Sequence, residues 1–275
     1  MRCAWDALMR ILPPALRPDA DAHARETLQE LRLRLGQAPE LVCDRGSKWG
    51  NGTVTEQELN FVVNTASRYS PWAAATASKG YITAPGGHRI GLCGEAVVRD
   101  GTVCGIRSVT SLCIRVARDF TGIAGKAAAL PGNILILGPP GSGKTTLLRD
   151  LIRQLSERET VTVVDERGEL FPADFIRGRK TDVLTLCSKA QGVEMALRTM
   201  GPTCIAVDEI TAQEDCRALL EAGWCGVRLL ATAHAASRAD LAARPVYRPL
   251  WETKLFETVI ILRSDKSWRT ERMTI

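Results

Sequence analysis

The sequence contains no apolar run that approaches the length of about 18 residues that a membrane-spanning helix needs. Its first residues, Met1 to Asp6, lead into mixed charges and lack the apolar centre of a secretory signal peptide. We therefore expect a cytoplasmic protein with no transmembrane segment of its own. If it works at a membrane, we expect it to act from the cytosolic face.

Residues that build metal sites and disulfides are scarce or poorly spaced. The chain has three histidines, and its nine cysteines are odd in number and include no Cys-x-x-Cys pair. Several cysteines lie in apolar runs such as 204–207, where a free thiol behaves as a small hydrophobe. We predict reduced thiols in or near the core, and neither a disulfide framework nor a zinc site.

Aromatic residues make up 5% of the chain, and the net charge of +5 is mild. Proteins that bind single-stranded nucleic acid combine aromatic side chains with a basic groove, and the sequence has no such combination. We therefore expect no nucleic-acid partner. The charge is compatible with an acidic protein surface, a phosphate ligand or anionic lipid, but requires none of them.

The chain changes character near residues 131–132. Before this point the pattern is α+β with glycine-rich turns. After it, short apolar runs alternate with helical stretches, which is typical of a parallel sheet with crossover helices. We predict a smaller α+β N-terminal domain at residues 1–125 and an α/β domain at residues 126–275, which suits the length of 275 residues.

The first domain is predicted to contain two helices followed by strands. Three leucines at helical spacing predict a helix over residues 22–35: Leu28, Leu31 and Leu35. A capping box that opens at Thr55 predicts a second helix to about Tyr69. Residues 80–118 predict several strands joined by glycine-containing turns, and a linker is expected to follow. The turns and the linker are at 85–87, 100–101 and 119–122.

Five apolar runs in the second domain predict buried strands: 134–137, 161–165, 204–208, 227–231 and 258–262. Helices fit between them at 145–157, 189–200 and 212–223. Each of the first four runs ends in residues with reactive or ligating side chains. Since ligands in open α/β sheets lie beyond the carboxyl ends of the strands, these four ends are predicted to converge on one site.

Residues 138–145 match the P-loop pattern G-x-x-x-x-G-K-[ST], between an apolar run and a helical stretch, which is the context that the motif requires. Glycines let backbone N–H groups surround a phosphate, and the helix N-terminus adds partial positive charge. Lys144 is predicted to reach the β- and γ-phosphates of ATP, and the Thr145 hydroxyl to bind Mg²⁺. The predicted nucleotide-binding residues are Gly138, Pro139, Pro140, Gly141, Ser142, Gly143, Lys144, Thr145 and Thr146.

Paired carboxylates end two of the predicted strands. Asp208 is predicted to bind Mg²⁺ directly or through water, and Glu209 to polarise the attacking water. Asp165 and Glu166 repeat the pattern on the preceding strand, and Glu166 is predicted to lie near the γ-phosphate. Either glutamate could activate the water, so the sequence leaves this choice open.

The fourth strand ends in a hydroxyl and an imidazole, those of Thr232 and His234. His234 is predicted to contact the γ-phosphate or Glu209 and so to report the nucleotide state. A lone histidine is otherwise a structural residue, and that interpretation is the alternative.

Arginines surround the predicted strand 112–117 of the first domain: Arg107, Arg115 and Arg118. They form either a solvated face or a group from which an arginine reaches a nucleotide phosphate, in the same subunit or a neighbouring one. Arg115 is the first choice, because strand alternation directs it away from its apolar neighbours.

Beyond the P-loop, an ordered series of blocks over roughly residues 30–262 resembles the stage III sporulation protein AA family. This family is related to the hexameric secretion ATPases of type II, type IV and pilus systems. The blocks are 31–34, 79–83, 86–92, the P-loop with 147–151, 164–167, 180–184 and 232–234.

The resemblance implies a RecA-like P-loop ATPase domain behind the N-terminal domain, assembled as a homo-oligomeric ring, a hexamer. It matches Asp165–Glu166 to an acidic box, Asp208–Glu209 to Walker B and residues 232–234 to a histidine box. It implies that arginines of the N-terminal domain approach the phosphates. The implied partners are membrane-embedded sporulation channel proteins, with this chain peripheral at the mother-cell side of a membrane.

The sequence departs from the family pattern at two places. Gly168 stands where the family has Ser, and residues 185–189 read Thr-Leu-Cys-Ser-Lys in place of Asp-Gly-Cys-Pro-Lys. Neither change falls on a predicted catalytic residue. Both lie in the loop 168–190, which is a predicted subunit contact.

These observations predict in-line attack of water on the γ-phosphate of Mg-ATP, catalysed by positioning and charge neutralisation, with the energy powering transport or assembly at a membrane channel. Two alternatives stay open. One is a nucleic-acid-dependent P-loop ATPase, which the positive charge favours. The other is a nucleotide-gated scaffold without turnover, against which the paired carboxylates argue.

Overall fold

The structure is a computed structural model that describes residues 2–24, 27–43, 45–67, 80–172 and 175–273. The chain divides into two compact units. The first is Met1–Asp119 with Ala173–Phe175, and the second is Phe120–Pro172 with Ile176–Ile275. The domain boundary predicted between residues 125 and 126 stays a prediction.

The first unit is built on antiparallel strands. Its helices are α1 (Trp5–Ile11), α2 (Arg17–Ala24) and α3 (Glu56–Ser67). Its strands are β1 (Arg2–Cys3), β2 (Leu28–Arg34), β3 (Glu40–Cys43), β4 (Gly46–Trp49), β5 (Tyr81–Thr83), β6 (Arg89–Arg99), β7 (Thr102–Arg115) and β8 (Arg118–Asp119). The main sheet has the order β4-β3-β2-β7-β6-β5, and β1 pairs with β8. All of these pairings are antiparallel.

The helix predicted over residues 22–35 is wrong, because most of that segment is strand β2. Leu31 and Leu33 are buried while Arg32 and Arg34 between and after them are partly exposed, which is the two-residue period of a strand. Leu35, on which the helical period depended, is 45% exposed. The helix of this region, α2, ends before the leucines begin.

Two other predictions for the first unit are confirmed. The Glu58 carboxylate accepts from the backbone N–H of Thr55 at 2.8 Å and the Thr55 hydroxyl accepts from the backbone N–H of Glu58 at 3.3 Å, as a capping box requires, and α3 follows. The β6–β7 turn falls at Asp100 and Gly101, both with positive φ. The predicted helix end at Tyr69 and the first residue of the block 79–83, Lys79, lie outside the described residues.

The second unit is built on a mostly parallel sheet. Its helices are α4 (Gly125–Ala128), α5 (Lys144–Leu155), α6 (Lys189–Thr199), α7 (Gln213–Trp224), α8 (Arg238–Ala243) and α9 (Arg248–Glu252). Its strands are β9 (Ile134–Leu137), β10 (Val161–Asp165), β11 (Thr181–Thr185), β12 (Cys204–Val207), β13 (Arg228–Ala233), β14 (Thr258–Leu262) and β15 (Trp268–Arg272). The order is β11-β10-β12-β13-β9-β14-β15, and β15 alone in this sheet is antiparallel to its neighbour.

Apolar side chains cover both faces of this sheet. Ile134 and Ile136 lie in one buried cluster, and Leu135 and Leu137 lie in the other. Strands buried on both faces read as continuous apolar runs, which is why the sequence predicts the five central ones. Since β10, β12, β13 and β9 are neighbours, the predicted convergence of their carboxyl ends is confirmed.

The two strands that the sequence did not predict, β11 and β15, are the edges of this sheet. Their residues are mostly half-buried or exposed, so they carry no continuous apolar run. Edge strands commonly have this polar character.

Helix α6 packs closely on the sheet and thereby sets the position of its first residue, Lys189. A Cβ on Gly192 would lie 2.4 Å from a methyl carbon of Val164 on β10. A larger residue at this point would push the helix away from the strand end that carries Glu166.

Candidate active site

The P-loop connects the carboxyl end of β9 to the start of α5. Gly141 and Gly143 have φ values of 71° and 98°, in the left-handed region that favours glycine. Gly143 is the N-cap of α5, whose first N–H groups have no partner within the helix. The loop and the helix start therefore form a site for a phosphate group.

Lys144, the first residue of α5, is 6% exposed. Its ammonium donates hydrogen bonds to the carbonyl oxygens of Gly138 and Pro139, both at 2.9 Å, and lies 3.1 Å from Nδ1 of His234. Burial lowers the pKa of Lys144, and the charges of Asp208 and Glu209 oppose that shift. The lysine is thus held at the mouth of the loop beside two carboxylates.

Asp208 follows β12 and is held by two threonine hydroxyls. Thr145 Oγ1 donates to Oδ2 at 2.8 Å, and Thr232 Oγ1 donates to Oδ1 at 2.5 Å. Hydroxyl and carboxylate oxygens are ligands suited to Mg²⁺. The adjacent Thr145 and Asp208 oxygens therefore fit the predicted metal site.

Glu209 has a φ of 54°, which is uncommon for a residue other than glycine. Its backbone N–H donates to Thr232 Oγ1 at 2.7 Å, which fixes this turn. Its carboxylate binds Arg167 through Oε2 at 2.7 Å, and Oε1 lies 3.2 Å from Nε2 of His234. Strained backbone of this kind is frequent at functional sites.

His234 connects the lysine to the glutamate. One neutral tautomer satisfies both ring nitrogens: Nδ1 accepts from the Lys144 ammonium and Nε2–H donates to Glu209. The structure therefore brings His234 to Glu209, one of its two predicted contacts.

Asp165 and Glu166, although adjacent, make different contacts. The Asp165 carboxylate is buried and accepts from the backbone N–H groups of Glu169, Leu170 and Phe171 at 2.9, 2.8 and 3.3 Å. Burial raises its pKa, and these three hydrogen bonds oppose the rise. Glu166 is 42% exposed at its side chain and is bound by the Lys189 ammonium. Asp165 therefore fixes the backbone at residues 169–171, whereas the Glu166 side chain lies partly exposed at the site.

Three side chains at the site were not predicted from the sequence: Arg167, Lys189 and Lys266. Arg167 stands in the block 164–167 but was assigned no role. Lys266 lies in the turn between β14 and β15, and its ammonium donates to the Gly141 carbonyl of the P-loop. Their positions depend on how the segments that carry them pack beside the carboxyl ends of the strands, for which a single sequence carries no local signal.

The predicted arginines belong to the first unit. Arg115 is 67% exposed at its side chain and lies 3.4 Å from the Glu30 carboxylate. Arg107 forms an exposed ion pair with Glu95. Arg118 donates to the Leu28 carbonyl through Nε at 3.2 Å and Nη2 at 2.7 Å. Arg115 points away from its buried neighbours, as predicted, and its role in catalysis stays a prediction.

A family model described as sporulation stage III, protein AA, matches residues 6–272. The chain belongs to this family. Stage III sporulation protein AA of Bacillus subtilis (strain 168) is 37% identical over 260 residues, which cover 87% of this chain and 83% of that protein. The resemblance predicted from the sequence blocks is thereby confirmed.

Two further relatives match over a smaller share of their own length. Protein SEEDLING PLASTID DEVELOPMENT 1 of Arabidopsis thaliana is 29% identical over 252 residues, which cover 87% of this chain but 35% of the plant protein. The competence protein ComGA of Streptococcus pneumoniae is 30% identical over 172 residues, which cover 59% of this chain and 53% of that protein.

Solved structures share the fold. The pilus retraction motor PilT with bound ADP matches with a TM-score of 0.62 at 18% identity, covering 89% of this chain and 76% of PilT. The ATPase DotB of Legionella pneumophila matches with a TM-score of 0.58 at 21% identity, with the same two coverages. The predicted mixed α/β fold of the secretion and pilus ATPases is thus confirmed. In the described part of the chain, no helix has the length and apolarity to cross a membrane.

Proposed function

We propose that this chain binds Mg-ATP through Gly138–Thr146, hydrolyses it, and works as a secretion-ATPase-like motor that powers transport or assembly of a sporulation channel at a membrane. The observation that carries the proposal is the contact of the P-loop with the end of β12, which carries Asp208 and Glu209, and with His234 after β13. Lys144 touches His234, His234 touches Glu209, and Thr145 touches Asp208. A glycine-rich turn with no catalytic role would not require this chain of contacts.

Each residue has a proposed role in hydrolysis. The loop amides and Lys144 bind the phosphates, and Thr145 with Asp208 would hold Mg²⁺, which when bound neutralises charge on the phosphate oxygens. Glu209 orients the attacking water and accepts its proton, and Glu166 lies on the neighbouring strand end to share that task. His234 contacts both Lys144 and Glu209. A movement of the Lys144 ammonium on phosphate binding would therefore shift the Glu209 carboxylate.

The proposed assembly is a homo-oligomer, a hexamer, as in the ring-forming secretion ATPases that the sequence resembles. The proposed partners are membrane-embedded sporulation channel proteins, met from the cytoplasmic, mother-cell side of a membrane. Mass measurement of the purified protein with and without a non-hydrolysable ATP analogue tests the assembly. A monomer with full turnover at saturating ATP would contradict it.

The test of turnover is phosphate release from Mg-ATP by the whole chain and by two lysine variants. Lys144→Ala removes the charged donor of the loop and should abolish ATP binding or turnover. Lys126→Ala alters an exposed lysine of α4 in the same unit and should leave both unchanged. ATP binding without phosphate release by the unmodified protein would favour the nucleotide-gated scaffold. Near-normal turnover in Lys144→Ala would show that the site is assigned wrongly.

A further inference from the structure

Lys189 is a buried lysine at the site that has no role in the proposed hydrolysis. It is the first residue of α6 and is 4% exposed. Its ammonium donates a hydrogen bond to Oε2 of Glu166 and lies 3.6 Å from Oδ2 of Asp215. An ammonium is costly to bury unless it is paired with opposite charge, so these two carboxylates account for its position.

The two carboxylates belong to different segments of the site. Glu166 follows β10. Asp215 lies in the first turn of α7, is 6% exposed, and accepts from the backbone N–H groups of Thr211 and Ala212 at 3.0 and 3.1 Å. These residues come two and three positions after Glu209. Lys189 therefore joins the strand end that carries Glu166 to the segment that carries Glu209.

A second contact between the segments that follow β10 and β12 is the ion pair of Arg167 with Glu209 at 2.7 Å. A cleft between them is lined by both glutamates, Lys189 and Asp208. The Glu209 carboxylate is held at both oxygens, by Arg167 and His234. Among the residues that the structure describes, Lys189 is the one that hydrogen-bonds the Glu166 carboxylate. Without it, the half-exposed Glu166 side chain would recover its rotamer freedom.

We propose that Lys189 is a positioning residue that holds the Glu166 carboxylate in the cleft next to Asp208 and Glu209. It acts through Glu166 and makes no contact with the nucleotide. The inference rests on the proposed ATP hydrolysis. The new element is that one of the two candidate water-activating carboxylates, that of Glu166, is held by a buried ammonium that also pairs with Asp215, beside the segment that carries Glu209.

The test is a cycle of Lys189→Met, Glu166→Gln and the double variant, with kcat and KM for ATP measured by phosphate release and ATP binding by a fluorescent analogue. Lys189→Met should lower kcat by at least about tenfold, because misplacing a catalytic group by about 1 Å is costly in rate, with KM changed less than about twofold. In the Glu166→Gln background the same change should cost less than about twofold, since its target is gone. Lys189→Arg, which keeps the charge, should retain more kcat than Lys189→Met.

Loss of Lys189 leaves Asp215 buried without its cation, so a second variant separates folding from positioning. Lys189→Met with Asp215→Asn removes both buried charges, and the Asn oxygen can still accept from the backbone of 211–212. It should show the same kcat loss as Lys189→Met while keeping the thermal transition of the unmodified protein. Recovery of normal kcat in this variant would overturn the inference, because the loss would then come from the unpaired Asp215.

Three further outcomes separate the positioning role of Lys189 from the proposed ATP hydrolysis. Normal turnover in Lys189→Met, or an equal loss with and without Glu166→Gln, overturns the positioning role and leaves the proposed function intact. Absence of turnover in the unmodified protein defeats the proposed function, and the role of Lys189 in hydrolysis with it. Lys126→Met serves as the matched control and should behave as the unmodified protein.

Discussion

Nε2 of His234 lies 3.2 Å from Oε1 of Glu209, while the other ring nitrogen of His234 lies 3.1 Å from the Lys144 ammonium. The imidazole is therefore a bridge between the residue proposed to bind the β- and γ-phosphates and the residue proposed to activate water. A change in the direction of the lysine on phosphate binding must alter one end of this bridge. The histidine thus gives a physical route from nucleotide state to the position of the carboxylate.

We expect His234→Ala to lower kcat by about tenfold or more, because a hydrogen bond to a charged group is worth about 1.5–3 kcal/mol. ATP affinity should change less, since His234 is not proposed as a phosphate ligand in the bound state. His234→Gln and His234→Asn are the matched pair: the Gln amide can take the place of Nε2 and the Asn amide that of Nδ1. Gln should retain more turnover than Asn. Turnover equal to that of the unmodified protein in all three variants would mean that His234 has a structural role only.

The two glutamates are separated by comparing Glu209→Gln with Glu166→Gln. We predict that Glu209→Gln keeps ATP affinity and lowers kcat by at least about 10²-fold, as expected for loss of a general base. Glu166→Gln should be the milder change. Steady-state phosphate release with an independent binding measurement decides between them. If Glu166→Gln is the more damaging, the assigned roles are reversed.

The second unit was largely predictable because its strands are buried on both faces. Continuous apolar runs such as 134–137 predict the strands directly, and the residues that follow each run then lie together at the carboxyl ends of the strands. The strand at 28–34 was predicted as a helix because Leu28, Leu31 and Leu35 fit a helical period. Leu31 and Leu33 fit the two-residue period of a strand, and the burial of Leu33 decides between the two. Lys189 and Lys266 could not be assigned to the site, since no local pattern encodes how the start of the predicted helix 189–200 or the β14–β15 turn packs beside it.

The reactivity of the cysteine thiols should follow their exposure to solvent. Cys93, Cys104 and Cys225 are exposed, and burial raises the pKa of Cys204 and of Cys216 to about 12. At pH 8 a thiol of that pKa is roughly one part in 10⁴ thiolate, the reactive form. We expect N-ethylmaleimide to label Cys93, Cys104 and Cys225 in the folded protein, and Cys204 and Cys216 only after unfolding in guanidinium, as read by peptide mass spectrometry. Equally fast labelling of Cys204 and Cys104 in the folded protein would contradict the burial of Cys204.

The last prediction concerns Arg115 on β7 of the first unit. Its neighbours Ile114 and Val116 are buried, and its own side chain is 67% exposed beside Glu30. An exposed ion pair contributes about 0–1 kcal/mol to stability, so Arg115→Ala should fold and bind ATP normally. An arginine that stabilises transferred phosphate charge contributes about 10³–10⁵ in rate. We therefore predict that Arg115→Ala loses most of the turnover while keeping its thermal transition.

Arg107 and Arg118 are the fallback candidates, and Arg118→Ala also removes two hydrogen bonds to the Leu28 carbonyl, so its stability must be measured alongside its turnover. If the arginine acts across a subunit boundary, mixing Arg115→Ala with Lys144→Ala should restore part of the turnover, because some sites then combine an intact P-loop with an intact arginine. No restoration on mixing would place its action within one subunit. Full turnover in all three single alanine variants would mean that these arginines form a solvated face, and that the charge at the phosphates is neutralised by the second unit alone.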